Sequence, residues 1–277
     1  MDSLEKTIHE LDGVELEKVI KLVHKLTGIS MGPNKKTLIQ GRLRPRMRVL
    51  GLGSFDEYLE YVNANKSEVQ EFINLVTTNE TSFFRTQRVW EFFTKEYLPN
   101  WYKTNPKKTL KVWSGASSSG EEVYTIGICC EEFRAKNPDF NYQIMGTDIS
   151  SDVLKVAECG EYSGRSIENF KTNNRPLFDK FMVQKGDIYC VHTDVKSKIR
   201  FGIHNLFSLP KEKEHYDIVF LRNVLIYFEP KDIEKVLMNI SHGLIKKGVL
   251  IIGESESLSS LKTPFKYKLP LVYENGE

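Results

Sequence analysis

The chain has 277 residues, with 39 Lys and Arg against 37 Asp and Glu for a net charge of +2, and it is 40% hydrophobic and 27% charged. The length supports one large or two modest domains with real cores, and the composition excludes disordered, collagen-like and coiled-coil chains. No apolar run approaches the ~20 residues of a membrane-spanning helix. Met1–Glu10 carries Asp2, Glu5 and Glu10 where a signal peptide needs a basic start, so a soluble, cytoplasmic protein is expected.

The first region, residues 1–85, reads as all helix. Leu16, Val19, Ile20, Val23 and Leu26 repeat at helical spacing before Gly28, a stop signal. Phe55, Leu59 and Val62, then Val69, Phe72, Ile73 and Val76, continue the pattern. Between them, Asn34–Arg48 holds Lys35, Lys36, Arg42, Arg44, Arg46 and Arg48 and no acidic residue, so this segment is +6 and the remainder nets −4.

From residue 86 to 277 the pattern changes. Short Val-, Ile-, Phe- or Leu-rich runs at Lys111–Trp113, Tyr142–Thr147, Arg200–Leu206, Tyr216–Leu221 and Gly248–Gly253 alternate with helical patterns at Glu121–Lys136, Ser151–Cys159 and Lys231–Lys246. Such alternation predicts an α/β domain with a parallel sheet. An insertion at about 178–203 interrupts it, with Phe181–Lys185, Ile188–His192 and Lys198–Phe201 reading as short antiparallel strands. The four cysteines and six histidines show no metal-ligand spacing, and the cysteines read as buried reduced thiols, with no metal expected.

Two segments suggest a nucleoside cofactor. The first strand runs into Ser114-Gly115-Ala116-Ser117-Ser118-Ser119-Gly120-Glu121-Glu122, whose small residues let a ligand approach the backbone at the carboxyl edge of the sheet. The next strand ends in Asp148, placed to accept hydrogen bonds from ribose hydroxyls. NAD and S-adenosylmethionine both remain open on these features. The absence of G-x-G-x-x-G favours a methyltransferase-like sheet over a dehydrogenase.

Three motifs sharpen this: Asn79-Glu80-Thr81-Ser82-Phe83-Phe84-Arg85 between the two regions, Trp113-Ser114-Gly115 followed by Ser118-Ser119-Gly120-Glu121-Glu122, and Arg222-Asn223-Val224-Leu225-Ile226-Tyr227-Phe228. In this order they closely resemble the CheR family of chemotaxis receptor methyltransferases, over nearly the whole chain. Two departures are visible, Ala116-Ser117 where the family commonly has Gly-Cys and Val123 where it commonly has Pro.

The resemblance implies a Rossmann-like methyltransferase sheet with a small antiparallel β insertion, preceded by an all-helical N-terminal domain. It implies methyl transfer from S-adenosylmethionine to glutamates on the cytoplasmic helices of bacterial chemoreceptors, giving S-adenosylhomocysteine, by a monomer that meets the membrane only through its receptors. Asn79, Thr81, Arg85, Glu122, Asp148, Asn205, Leu206, Arg222 and Asn223 match cofactor positions, with Glu122 facing the methionine ammonium and Asn205 and Leu206 embracing the adenine. Arg85 and Tyr227 match the reacting centre, and Lys35, Lys36, Arg42, Arg44, Arg46 and Arg48 match the basic helix that docks receptors.

Plainer roles compete: Phe83 and Phe84 as core anchors, Thr81 and Ser82 as a cap for the following helix, and Glu121 as a solvated first-turn acid. A non-catalytic S-adenosylmethionine-binding signalling module and a nucleic-acid methyltransferase are the alternative functions. The second lacks the Asn/Asp-Pro-Pro-Tyr/Phe motif of base methylation, so no nucleic-acid partner is expected.

Overall fold

The computed structural model describes residues 9–210 and 215–276, so most of the acidic start Met1–Glu10 lies outside the described residues. Among the described residues the N-terminal region holds four α-helices: α1 (Gly13–Thr27), α2 (Lys36–Leu50), α3 (Phe55–Ala64) and α4 (Lys66–Val76). Local sequence sets their ends. Asp12 and Glu15 form a reciprocal capping box at the start of α1, Ser54 accepts from the Glu57 amide at the start of α3, and Gly28 closes α1 in the left-handed region at φ 74°. A Cβ at Gly28 would lie 2.0 Å from the Phe207 ring, so this glycine also permits close docking of α1 on the second region. Leu16, Val19 and Val23 bury against Leu43, Met47, Phe55, Tyr58, Val62 and Phe72 in a core of their own.

After a connecting segment, α5 (Gln87–Phe92) passes through a π-helical turn, Phe93–Tyr97, into α6 (Leu98–Thr104). The sheet region follows as β1 (Thr109–Gly115), α7 (Glu121–Lys136), β2 (Asn141–Asp148) and α8 (Ser151–Cys159). The inserted part comprises β3 (Glu161–Tyr162), α9 (Arg165–Asn173), α10 (Arg175–Phe181), β4 (Met182–Lys185), β5 (Ile188–Val191) and α11 (Thr193–Lys196). The chain then returns through β6 (Ile199–Ile203), β7 (Tyr216–Leu221), α12 (Pro230–Gly243), β8 (Leu244–Ile252) and the hairpin β9 (Phe265–Leu269) and β10 (Val272–Asn275).

The main sheet has the order β6-β2-β1-β7-β8-β10-β9, and β10 alone among these strands runs antiparallel to the rest. The chain builds outward from β1 on one side and restarts at β7 on the other. Strand order therefore reverses between β1 and β7, where open α/β sheets leave a ligand crevice.

Four details differ from the sequence expectations. Lys198–Phe201 was expected in the antiparallel insertion, yet Ile199–Ile203 pairs parallel with β2, and the third strand of the small sheet is the two-residue β3. The turn at α11 carries the chain back to the main sheet. The expected helix Lys231–Lys246 stops at Gly243, and strand pairing begins at Leu244. The C-terminal hairpin had no sequence expectation. Cys129, Cys130 and Cys190 are buried but Cys159 is exposed; burial pushes the Cys129 thiol up to about 12, so it stays protonated. Among the described residues no helix is long and apolar enough to cross a membrane.

Candidate active site

One cavity of about 220 Å³ opens at the β1/β7 crevice, beneath the helical region. Asn79, Thr81, Arg85, Glu122, Asp148, Asn205, Leu206, Arg222, Asn223 and Tyr227 all line it. Of the six basic docking candidates, only Lys35 does. Residues some 150 positions apart meet because each follows the carboxyl end of a parallel strand, or belongs to the segment threading past those ends.

The β1 loop is tightly folded. Ala116 and Ser118 adopt positive φ, at 59° and 51°. A left-handed Ala costs about 1–2 kcal/mol. At the loop's end Gly120 has φ +95°, and a Cβ there would clash at 2.9 Å with that of Ala157. The loop then presents the Ser118 amide to Asp148 Oδ2 at 2.8 Å, while the Ser150 amide donates to Oδ1 at 2.9 Å. Burial pushes the Asp148 carboxyl above its ordinary range, and these amide bonds pull it back down. Each oxygen keeps a lone pair for a further donor.

Glu122 and Arg222 pair across the crevice. Arg222 Nη1 donates to Glu122 Oε2 at 2.8 Å, Ser114 Oγ donates to the other oxygen at 2.9 Å, and Arg222 Nη2 donates to the Arg85 carbonyl at 2.8 Å. Glu122 is thus held by Arg222, a partner the sequence did not indicate, and any ligand ammonium shares this carboxylate with it. The Trp90 indole donates to the same Arg85 carbonyl at 3.0 Å. This fixes the Arg85 backbone, while its exposed guanidinium donates to the Glu80 carbonyl at 3.3 Å.

Asn205 donates to the Leu26 carbonyl at 3.0 Å and accepts from the Phe207 amide at 3.0 Å, so it ties the end of β6 to α1 while one donor and one acceptor of its carboxamide remain. Ser30 does the same on the far wall: its amide donates to the Tyr227 carbonyl at 2.8 Å and its hydroxyl to Glu229 at 3.2 Å. Ser118 Oγ donates to the Asn79 carbonyl at 2.7 Å.

Plainer roles hold for several neighbours. Phe83 is a core anchor, stacked 4.9 Å from Phe170 and edge-on to Tyr162 at 5.0 Å; Phe84 packs 5.1 Å from Phe170. Neither Thr81 nor Ser82 caps α5, whose N-cap position is Thr86 with no side-chain cap bond. Glu121 is buried rather than solvated, accepts from Ser119 and Ser166, and stays outside the cavity.

Sequence reasoning missed Glu256. Its buried carboxylate accepts from the amides of Asn223 at 3.1 Å, Leu225 at 2.8 Å and Gly253 at 2.5 Å, and so shapes the turn that carries Asn223 and Tyr227. The only signal is its place two residues after a strand-end Gly-Glu, which no motif marks.

The basic segment divides. Arg46 forms a bidentate pair with buried Glu68 at 2.9 and 2.6 Å, Arg42 donates to the carbonyls of Val76 and Thr77 at 3.1 and 2.8 Å, and Arg44 donates to the His9 carbonyl at 3.0 Å. Arg42, Arg44 and Arg46 therefore have partners within the helical region, whereas Lys35 and Arg48 are exposed.

The lining suits S-adenosylmethionine. Ser117 Oγ and Arg222 Nε are buried without a hydrogen-bond partner, so the cavity wall calls for a polar ligand. Asp148, Leu206 and Glu122 offer it a hydroxyl acceptor, an apolar face and a carboxylate respectively. The fold and this lining define a Rossmann-like protein with a cavity suited to a nucleoside cofactor.

Comparisons with known proteins agree. The family model described as CheR methyltransferase, SAM binding domain, matches residues 79–269, and the one described as CheR methyltransferase, all-alpha domain, matches residues 14–77. The chain is 32% identical over 271 residues to the chemotaxis protein methyltransferase of Borreliella burgdorferi, covering 95% of this chain and 94% of that one. It is 32% identical to chemotaxis protein methyltransferase 1 of Pseudomonas aeruginosa and to the chemotaxis protein methyltransferase of Listeria monocytogenes, each over 86% of this chain and 88% of the other. The chain belongs to the CheR methyltransferase family.

Proposed function

We propose that this protein transfers a methyl group from S-adenosylmethionine to glutamate side chains on the cytoplasmic helices of bacterial chemoreceptors, forming methyl esters. The observation that carries this reading is one shared opening: Arg85 and Tyr227 line the same cavity as Lys35 and Leu38, which belong to the basic segment around α2. A helix docked on that segment would present a glutamate to the cavity.

The cofactor supplies a methyl group on a sulfonium, which an ionised carboxylate accepts without a general base. Asp148 holds the ribose hydroxyls, Leu206 covers the adenine face, and Glu122 with Arg222 sets the charge at the methionine end. Arg85 orients the incoming carboxylate, and Tyr227 lines the point of transfer. A tight guanidinium–carboxylate pair would favour the ground state over a transition state in which the nucleophile loses charge, so Arg85 works by orientation. The helical region, residues 1–85, recognises the receptor and closes the cavity against water, and residues 86–277 carry the transfer.

Receptor-containing membranes incubated with labelled S-adenosylmethionine test the assignment. Label enters the receptor and is lost when its candidate glutamates are replaced by alanine. Label that persists in the substituted receptor contradicts it.

A further inference from the structure

Asp148 is held from beyond the sheet. The turn that follows it, Ile149 to Ser151, is gripped by two side chains of α4 in the helical region. Asn74 Oδ1 accepts from Ser150 Oγ at 3.1 Å and from the Ser151 amide at 3.0 Å, and Asn74 Nδ2 donates to Ser151 Oγ at 3.0 Å. Gln70, one helical turn earlier on the same face, donates to the Ile149 carbonyl and to Asn74 Oδ1, both at 3.0 Å. Neither residue lines the cavity. The Ser150 amide, at the centre of this grip, is one of the two that orient the Asp148 carboxylate.

We propose that Asn74, supported by Gln70, is a positioning residue for the nucleoside cofactor, fixing the Ile149–Ser151 turn so that the Ser150 amide holds Asp148 in register for the ribose. The inference rests on the reading of Asp148 as the ribose-binding carboxylate. A plain interdomain tether would need only that the two surfaces touch. Here four hydrogen bonds converge on three consecutive residues, including a backbone amide and a backbone carbonyl, which fixes the conformation of the turn as well as its location. Burial already disfavours the ionised Asp148, and the Ser150 amide is the foremost group offsetting it. A turn released from α4 weakens that bond and the carboxylate's capacity as an acceptor together.

The test is a double-mutant cycle on the full chain, with dissociation constants for S-adenosylmethionine and S-adenosylhomocysteine measured by calorimetry. Asn74→Ala is expected to weaken both ligands about tenfold, equivalent to about 1.4 kcal/mol. In an Asp148→Asn background the same substitution should cost little more, because its effect runs through the carboxylate already removed. Unchanged affinity in Asn74→Ala overturns the proposal, and so does an equal further loss on top of Asp148→Asn, which a general structural role would give. If Asn74→Ala does not fold, Gln70→Ala enters the same cycle with a smaller loss expected. A wild-type protein that binds neither ligand overturns the cofactor reading beneath the proposal, an outcome distinct from an additive cycle.

Discussion

Glu122 and Arg222 face each other across the point where strand order reverses, 2.8 Å apart with side chains only 12% and 2% exposed. One follows β1 and the other follows β7, so this pair joins the two halves of the sheet at the cavity wall. Glu122→Ala leaves the guanidinium buried without its counter-charge, and a loss of about 3 kcal/mol in folding stability is expected, together with weaker S-adenosylmethionine binding. Urea denaturation and calorimetry measure the two; an unchanged unfolding midpoint would contradict the buried pairing.

Glu121, next in sequence, gives a pH signature. Burial pushes its carboxyl above the ordinary value of 4.5, against the opposing pull of the Ser119 and Ser166 hydroxyls. A raised folded-state pKa means that the stability it contributes is full below 4.5 and is lost as pH rises through the folded value. Glu121→Gln keeps an acceptor for both serines and does not titrate. The wild type should therefore gain stability relative to Glu121→Gln as pH falls from 7 toward 4.5. A stability difference that stays flat across denaturation curves in this range removes the buried-charge account.

At the reacting centre, Arg85→Ala should lower turnover on the order of 100-fold, the scale of misplaced reactants, with a smaller loss of cofactor affinity. Parallel losses in both would make Arg85 a cofactor ligand instead. Tyr227→Phe should retain cofactor binding and slow the reaction, whereas an unchanged rate takes the hydroxyl out of the chemistry.

Much of this site was legible in the sequence because motif residues sit at strand ends, and a parallel sheet gathers its strand ends along one edge. Asp148 at the tip of β2 and Arg222-Asn223 after β7 needed only that rule. The partner of Ile199–Ile203 was not legible: a short apolar run carries no mark of parallel or antiparallel pairing, and β3, with two residues, is below any pattern. The hairpin of β9 and β10 was within reach, since Phe265-Lys266-Tyr267-Lys268-Leu269 alternates with a period of two. The partners of the α2 arginines were not legible for a different reason. Composition counts charge, but Arg42, Arg44 and Arg46 turn toward acceptors at His9, Glu68, Val76 and Thr77, all of them 22 to 35 positions away. Glu256 had no signature because its ligands are backbone amides.

That division of the basic segment sets a docking test. Charge reversal at Lys35, Lys36 and Arg48 should slow receptor methylation most at low ionic strength, where steering is least screened. Arg46→Ala, by contrast, strands buried Glu68 and should cost about 3 kcal/mol of stability. A rate unaffected by the triple reversal at low salt would exclude docking on α2.

The chemistry itself is tested most directly by the fate of the transferred methyl group. After labelling of receptor-containing membranes with methyl-labelled S-adenosylmethionine, the receptor band is treated with alkali and volatile methanol is collected. Release of the label as methanol is the predicted result, because a glutamate methyl ester hydrolyses under these conditions. Label that stays on the receptor through alkali, as a methyl on nitrogen would, contradicts glutamate esterification.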